Sequence, residues 1–191
     1  MRMTVFSTPV VTPILRVLAA VILKIMGWKT VGIPVENARF VLIGAPHTSN
    51  WDFPVMIMVV LKLRLKVYWM GKASLFPFPF AGLMKWLGGI PIDRSRSNNM
   101  VDHTVKQYQE NKDMVVLVPP EGTRSKVKQW KTGFYHIAVN AKVPVLLGYL
   151  NADTKEAGLA DFFYPTGDVD TDMAAIRMFY ADKRGLNAEN T

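Results

Sequence analysis

The chain contains no cysteine. That absence excludes disulfides, a thiolate nucleophile and zinc sites built on thiolates, and it fits a reducing compartment. Histidine is nearly as scarce. His47, His103 and His136 are the full set of 3, and none stands at metal-ligand spacing from another, so no metal is expected. Acids are in short supply too, with 15 Asp and Glu against 23 Lys and Arg. The imbalance is local. Residues 1–75 carry 9 basic against 2 acidic side chains, residues 76–131 carry 9 against 5, and residues 132–191 carry 5 against 8. A basic front points to an anionic partner: a phosphate-bearing substrate or an anionic membrane surface. No RNP, zinc-finger or helix-turn-helix pattern accompanies it, so nucleic acid is not expected.

Long apolar runs are missing as well. The N-terminal stretch "VVTPILRVLAAVILKIMGWKTVG" is interrupted by Arg16 and Lys24, which bound its longest clean piece, "VLAAVIL", residues 17–23. A spanning helix needs about 20 mostly apolar residues. No small-residue cleavage pattern closes the stretch as a signal peptide. A helix lying in a membrane interface is the expectation, its cations snorkelling and Trp28 near its end. The alternative is an ordinary packing helix. Residues 1–30 are read as this interfacial segment and residues 31–191 as one α/β domain.

What is present is a chain of 191 residues, half of them apolar, enough for one domain with a sizeable core. Buried strands are read at "ARFVLIGAP", "LRLKVYWMGK", "IPIDRS", "DMVVLVPPEGT" and "VPVLLGYLN". Helices are read from about Ser49 to Leu61, within "FPFPFAGLMKWLGG", over "NMVDHTVKQYQEN" and over "WKTGFYHIAVNAK". A closing helix runs through "TDMAAIRMFYADKRG", with Asp170 or Thr171 as cap and Gly185 as stop. Strands alternating with helices give an α/β fold, a single layered domain with a mostly parallel or mixed sheet flanked by helices, plus the N-terminal amphipathic helix.

Three polar clusters follow buried strands: "APHTSNWD", "IPIDRS" and "VPPEGTR". Ligand sites in open α/β sheets gather outside the carboxyl ends of strands. One edge of one sheet would therefore collect His47, Asp52, Arg94, Glu121 and Arg124. In "HTSNWD", Ser49 and Asp52 have the spacing of a capping box, with Asp in place of Glu. A chain turning into a helix there can return His47 toward Asp52, which would take the proton of one ring nitrogen and leave the other as a base. The spacing equally fits an acid that only caps and a histidine that only fills the turn. Arg94 and Arg124 suit phosphate through their paired donors, or surface ion pairs. Gly122 permits a tight turn, and Lys72 ends a strand or adds a third cation. Met56, Met58, Met84, Phe76, Phe78, Phe80 and Trp86 are candidates for an acyl path or for plain core.

Together these stretches resemble the phospholipid and glycerolipid acyltransferase family, which includes 1-acylglycerol-3-phosphate acyltransferase. "HTSNWD" matches its His-x4-Asp block and "MGKASLFPFPFAGLMKWLGGIPIDRS" its second block. "PEGTRS" matches its third block, and "AKVPVLLGYL" its apolar fourth. All four stand in the family's order, from about residue 38 to 150. The resemblance implies His47 as general base and Asp52 as its orienter. Arg94, Arg124 and Lys72 would serve the acceptor's phosphate, and Glu121, Gly122 and Thr123 would shape that loop. Pro46 replaces an Asn that often precedes the histidine, and Pro119 replaces an aromatic before "PEG". The implied reaction moves an acyl group from acyl-CoA or acyl carrier protein, a co-substrate rather than a cofactor, to the hydroxyl of lysophosphatidic acid or a similar membrane lipid. No metal is implied. Glycerol 3-phosphate or an amino-lipid as acceptor, and a non-catalytic lipid-binding protein, are the other readings. A peripheral or monotopic position on the cytoplasmic face of a membrane is the expected location.

Overall fold

The computed structural model of the chain describes residues 2–32, 39–92 and 97–191. In chain order the elements are α1 (Val11–Ile25), β1 (Lys29–Val31), β2 (Phe40–Ala45), α2 (Asp52–Lys62), β3 (Tyr68–Lys72), α3 (Ala81–Trp86), β4 (Gly89–Ile92), α4 (Ser97–Glu110), β5 (Val115–Val118), α5 (Gly133–Ala141), β6 (Val145–Asn151), β7 (Glu156–Phe163) and α6 (Val169–Tyr180). They form one α/β unit around a 7-stranded sheet in the order β1-β7-β6-β2-β5-β3-β4. Each neighbouring pair is parallel except β6 and β7, which are antiparallel.

The central strands are apolar on both faces because both faces are covered. In "FVLIGA" of β2, Phe40 and Leu42 point into one core, while Val41, Ile43 and Ala45 point into the other. The first core lies under α1 and α2, through Ala19, Leu23, Val55, Val59 and Leu61. The second lies under α4, α5 and α6, through Tyr108, Phe134, Ile137, Met173 and Ile176. Tyr108 ties the second layer to the sheet. Its hydroxyl donates to the Phe40 carbonyl at 2.6 Å and accepts the Val116 N–H at 3.2 Å. Burial pushes this phenol well above its ordinary range.

The helix α1 buries Thr12, Ala19 and Leu23 and docks on α2. Its other side keeps an apolar stripe in solvent, with Val17 at 65%, Val21 at 48% and Ile25 at 80% exposure. Among the described residues no helix is long and apolar enough to cross a membrane.

Several boundaries differ from the sequence reading. The alternation in "LRLKVYWMGK" predicts a strand from Leu63, but α2 runs on to Lys62 and the chain turns at Arg64, whose φ is 59°. β3 therefore begins at Tyr68. The closing helix is capped by Asp168, whose side chain accepts the Thr171 N–H, and it ends at Tyr180 rather than near Gly185. Asp170 and Thr171 lie inside its first turn. β1 and β7 were not legible. "EAGLADFF" lacks a β-branched run and becomes a strand because it pairs with β6 on one side and β1 on the other. The strand read in "IPIDRS" is described only to Ile92.

Replacing Tyr108 by Phe removes the hydroxyl shared by the buried Phe40 carbonyl and Val116 N–H. Stability should fall by about 1–3 kcal/mol, read as a lower urea midpoint with an unchanged denaturant slope.

Candidate active site

The parallel arrangement of β2, β5 and β3 puts their carboxyl ends on one edge of the sheet. His47 follows β2, Glu121 to Arg124 follow β5, and Lys72 ends β3. The edge that the topology rule predicts therefore collects two of the three polar clusters, those after β2 and β5, while residues 93–95 of the third lie outside the described residues.

The turn between β2 and α2 is built around one oxygen. Asp52 Oδ2 lies 3.0 Å from His47 Nδ1 and accepts the backbone N–H groups of Thr48 and Ser49, each at 2.7 Å. An acceptor-only carboxylate oxygen in this position requires the proton on Nδ1, which leaves Nε2 with its lone pair free. Asp52 is buried and its other oxygen, Oδ1, has no hydrogen-bond partner among the described residues. The capping-box expectation is half met. Asp52 reaches back to the Ser49 N–H as that motif requires, but α2 starts at Asp52 itself and Trp51 is the cap residue. Ser49 Oγ accepts the Trp51 N–H at 3.2 Å. The carboxylate is drawn toward His47 and the turn, so the polar contacts stabilise the bend ahead of the helix.

Glu121 holds the same turn from the neighbouring strand. Its Oε1 accepts the His47 N–H at 3.0 Å, and its Oε2 is buried with no hydrogen-bond partner among the described residues. Burial, the largest influence, pushes this carboxyl up to about 7, against the pull of its backbone hydrogen bonds and of His47. Gly122 follows with φ 68°, the left-handed conformation that favours glycine, and its N–H closes a turn onto the Pro119 carbonyl at 3.1 Å. Lys131 donates its N–H to the Pro120 carbonyl at 2.7 Å and shuts the base of the basic loop.

A cavity of about 370 Å³ opens at this turn. His47, Asn50 and Arg124 stand with Asp52 in its lining, and the remainder is almost wholly apolar: Val55, Met56, Val59 and Leu63 from α2 and its end, Leu42, Leu117, Leu150 and Trp69 from the sheet. Gly44 and Gly148, paired in register on β2 and β6, lie on its floor, where Leu42 Cδ1 and the Ile43 carbonyl occupy the space a Cβ on Gly148 would need. Of the expected acyl-path residues, Met56 and Met84 line the cavity. Phe78 and Phe80 do not. They are exposed at 96% and 59% on the outer surface. Met58, Phe76 and Trp86 pack on the core beneath α1 and α2. Thr123 and Lys72 are exposed on the site's edge, and neither lines the cavity. Arg94 lies outside the described residues. Trp69, Leu150 and Tyr149 were not singled out from sequence, because an apolar residue on a strand carries no mark of which void it faces. Among the described residues no cluster of His, Asp and Glu is placed to hold a metal ion.

The Glu121 shift has a pH consequence. Its folded value of about 7 lies above the ordinary 4.5. The stability tied to its protonated form is complete below the lower value and is lost as pH rises through the higher one. The full swing is about 3 kcal/mol. Glu121→Gln keeps an acceptor for the His47 N–H and removes the titration. Melts on either side of pH 7 should show the wild-type stability falling more than that of the variant.

Comparison with known proteins gives the family and the fold. The family model "Acyltransferase" matches residues 33–146. The crystal structure of the 1-acyl-sn-glycerophosphate (LPA) acyltransferase PlsC from Thermotoga maritima superposes with a TM-score of 0.59 at 17% identity, covering 90% of this chain and 80% of that one. At that identity the match speaks to the fold. No curated protein matches the chain by sequence. With more than half its length on the family model and the His47–Asp52 pair at the mouth of an apolar cavity, the chain belongs to the acyltransferase family.

Proposed function

We propose that this acyltransferase moves a fatty acyl group from a thioester donor, acyl-CoA or acyl carrier protein, to the hydroxyl of lysophosphatidic acid or a closely similar lysophospholipid. The observation that carries this reading is the 3.0 Å contact between His47 Nδ1 and Asp52 Oδ2 at the polar end of a 370 Å³ apolar cavity. Nε2 of His47 takes the proton of the acceptor hydroxyl. The acceptor oxygen attacks the thioester carbonyl carbon, the C–S bond breaks, and the thiolate leaves and recovers a proton from the imidazolium. Asp52 holds the ring in the productive tautomer and stabilises its charge. The apolar cavity takes an acyl chain, and Arg124 at its mouth takes phosphate oxygens. The departure at Pro46 and Pro119 bears on which acceptor fits.

The same reading places the protein on a membrane surface as a peripheral or monotopic enzyme. The outward stripe of α1 and the side chains of Phe78, Phe80 and Leu83 are exposed apolar surface, and Lys24 and Lys85 are exposed cations on the same two segments. The inner stripe of α1 is part of the core, so the membrane test uses its exposed positions rather than deletion.

Two outcomes follow. Purified protein given acyl-CoA or acyl carrier protein and lysophosphatidic acid should release thiol in step with acylated lipid. His47→Ala should lower that rate by about 10²–10⁴-fold while staying folded; wild-type-like turnover in the variant would refute the general base. Thiol released without lipid product would mean hydrolysis instead. Separately, Val17→Glu with Val21→Glu should reduce sedimentation with anionic vesicles without lowering the melting temperature. Unchanged sedimentation would refute the interfacial role of α1.

A further inference from the structure

The segment after α6 does not trail into solvent. It is fixed first to the end of β6, where the Ala152 N–H donates to the Arg184 carbonyl at 2.7 Å and the Arg184 N–H donates to Asn151 Oδ1 at 3.3 Å. It then crosses to the turn that holds His47 and Asp52, and its target there is Thr48. The Asn187 N–H donates to Thr48 Oγ1 at 3.0 Å, and Asn190 Nδ2 donates to the Thr48 carbonyl at 3.2 Å. Gly185 is pressed against the same side chain. A Cβ at that position would lie 2.3 Å from Thr48 Oγ1 and 2.4 Å from Thr48 Cγ2, closer than atoms can stand. Thr191 closes the segment on itself, its Oγ1 accepting the Gly185 N–H at 3.0 Å and donating to the Asn187 carbonyl at 3.2 Å.

Thr48 is held both by this segment and by Asp52. It is 3% exposed, its N–H donates to Asp52 Oδ2, and it directly follows His47. Its position sets where that oxygen sits, and the oxygen sets the His47 ring. We propose that residues 184–191 act as a strap that positions the His47–Asp52 pair through Thr48, with Gly185 and Asn190 as positioning residues. The strap crosses some 140 residues of sequence to do this, and it holds Thr48 while Glu121 holds the preceding His47 N–H. The turn is thus clamped between β5 and the strap, while the imidazole edge facing the cavity stays free. A reacting geometry misplaced by about 1 Å costs on the order of 10²-fold in rate, so a clamp of this kind acts on turnover more than on binding.

This inference rests on His47 being the base, and its test separates the two ideas. The variants are Gly185→Ala, which forces the strap off Thr48, and Asn190→Ala, which removes one hydrogen bond and leaves the packing. Tyr108→Phe, buried on the far side of the sheet, is the control for destabilisation alone. The readouts are kcat and KM for the thioester, the melting temperature, and the ¹⁵N shifts of the neutral His47 imidazole, assigned among three histidines with His47→Ala. The strap predicts a kcat loss of about fivefold for Asn190→Ala, the worth of one hydrogen bond, and a larger loss for Gly185→Ala. KM should stay near the wild-type value, and the His47 proton should move in part from Nδ1 to Nε2. The control should lower the melting temperature without either change. An unchanged tautomer in both strap variants would overturn the proposal, whether kcat held or fell together with stability. If the wild-type protein transferred no acyl group and the tautomer still moved, the strap would stand and the proposed reaction would fail.

Discussion

One carboxylate oxygen organises this site. Asp52 Oδ2 gathers the His47 ring and two successive backbone N–H groups within a bend of six residues. Taking a carboxylate out of water costs several kcal/mol unless donors replace the lost hydration. Here three donors converge on a single oxygen, two of them backbone groups with no other place to go in so tight a turn. The bend, the tautomer and the direction of the free ring nitrogen therefore share one cause. Removing the acid would cost more than an orienting partner for His47, because the Thr48 and Ser49 amides would lose their acceptor as well.

Everything around the bend either holds it or leaves it open. β5 presents Glu121 to the His47 amide, and the loop beyond places Arg124 at the rim. The segment after α6 bonds to Thr48, the residue next to His47. What is left open is the cavity side, between α2 and a sheet floor that includes Gly44 and Gly148. A polar, basic rim above an apolar interior has the polarity of a lysophospholipid or an acyl thioester, with charge at one end and hydrocarbon at the other. Desolvation inside the pocket strengthens the few polar contacts at its mouth.

The helix α1 illustrates a second constraint. Its inner stripe uses small or slender side chains, Thr12 and Ala19, to lie close on α2, and its outer stripe is Val, Leu and Ile. Apart from Arg16 and Lys24 its side chains are apolar or Thr12, a make-up suited to packing on a core with one face and on lipid with the other. At 15 residues it is about 22 Å long, too short to span the hydrocarbon region but suited to lying along it. In the proposed reading this holds the open cavity near the lipid from which its acceptor would come.

Much of this was legible in the residues themselves. The apolar runs of β2, β5 and β6 read as strands of a mostly parallel or mixed sheet, and the polar clusters behind β2 and β5 could meet at one edge, because parallel strands turn the same ends together. The pairing of His47 with Asp52 was readable as a possibility from five residues of spacing. The sequence could not choose between a cap and a base–orienter pair, since both use the same acid. The tertiary structure lets the acid do both, since Asp52 opens α2 and its Oδ2 stands 3.0 Å from His47 Nδ1. Nor could periodicity find β7, whose strand character comes from its neighbours, or say which apolar side chains border a void. The strap was the least visible feature of all. Gly185 reads as a helix stop and Asn190 as a polar tail until the fold brings them onto Thr48, because a contact across so long a stretch of chain leaves no local pattern. Local chemistry determined what each segment wanted to become, and only long-range packing decided which of those segments would hold the same turn.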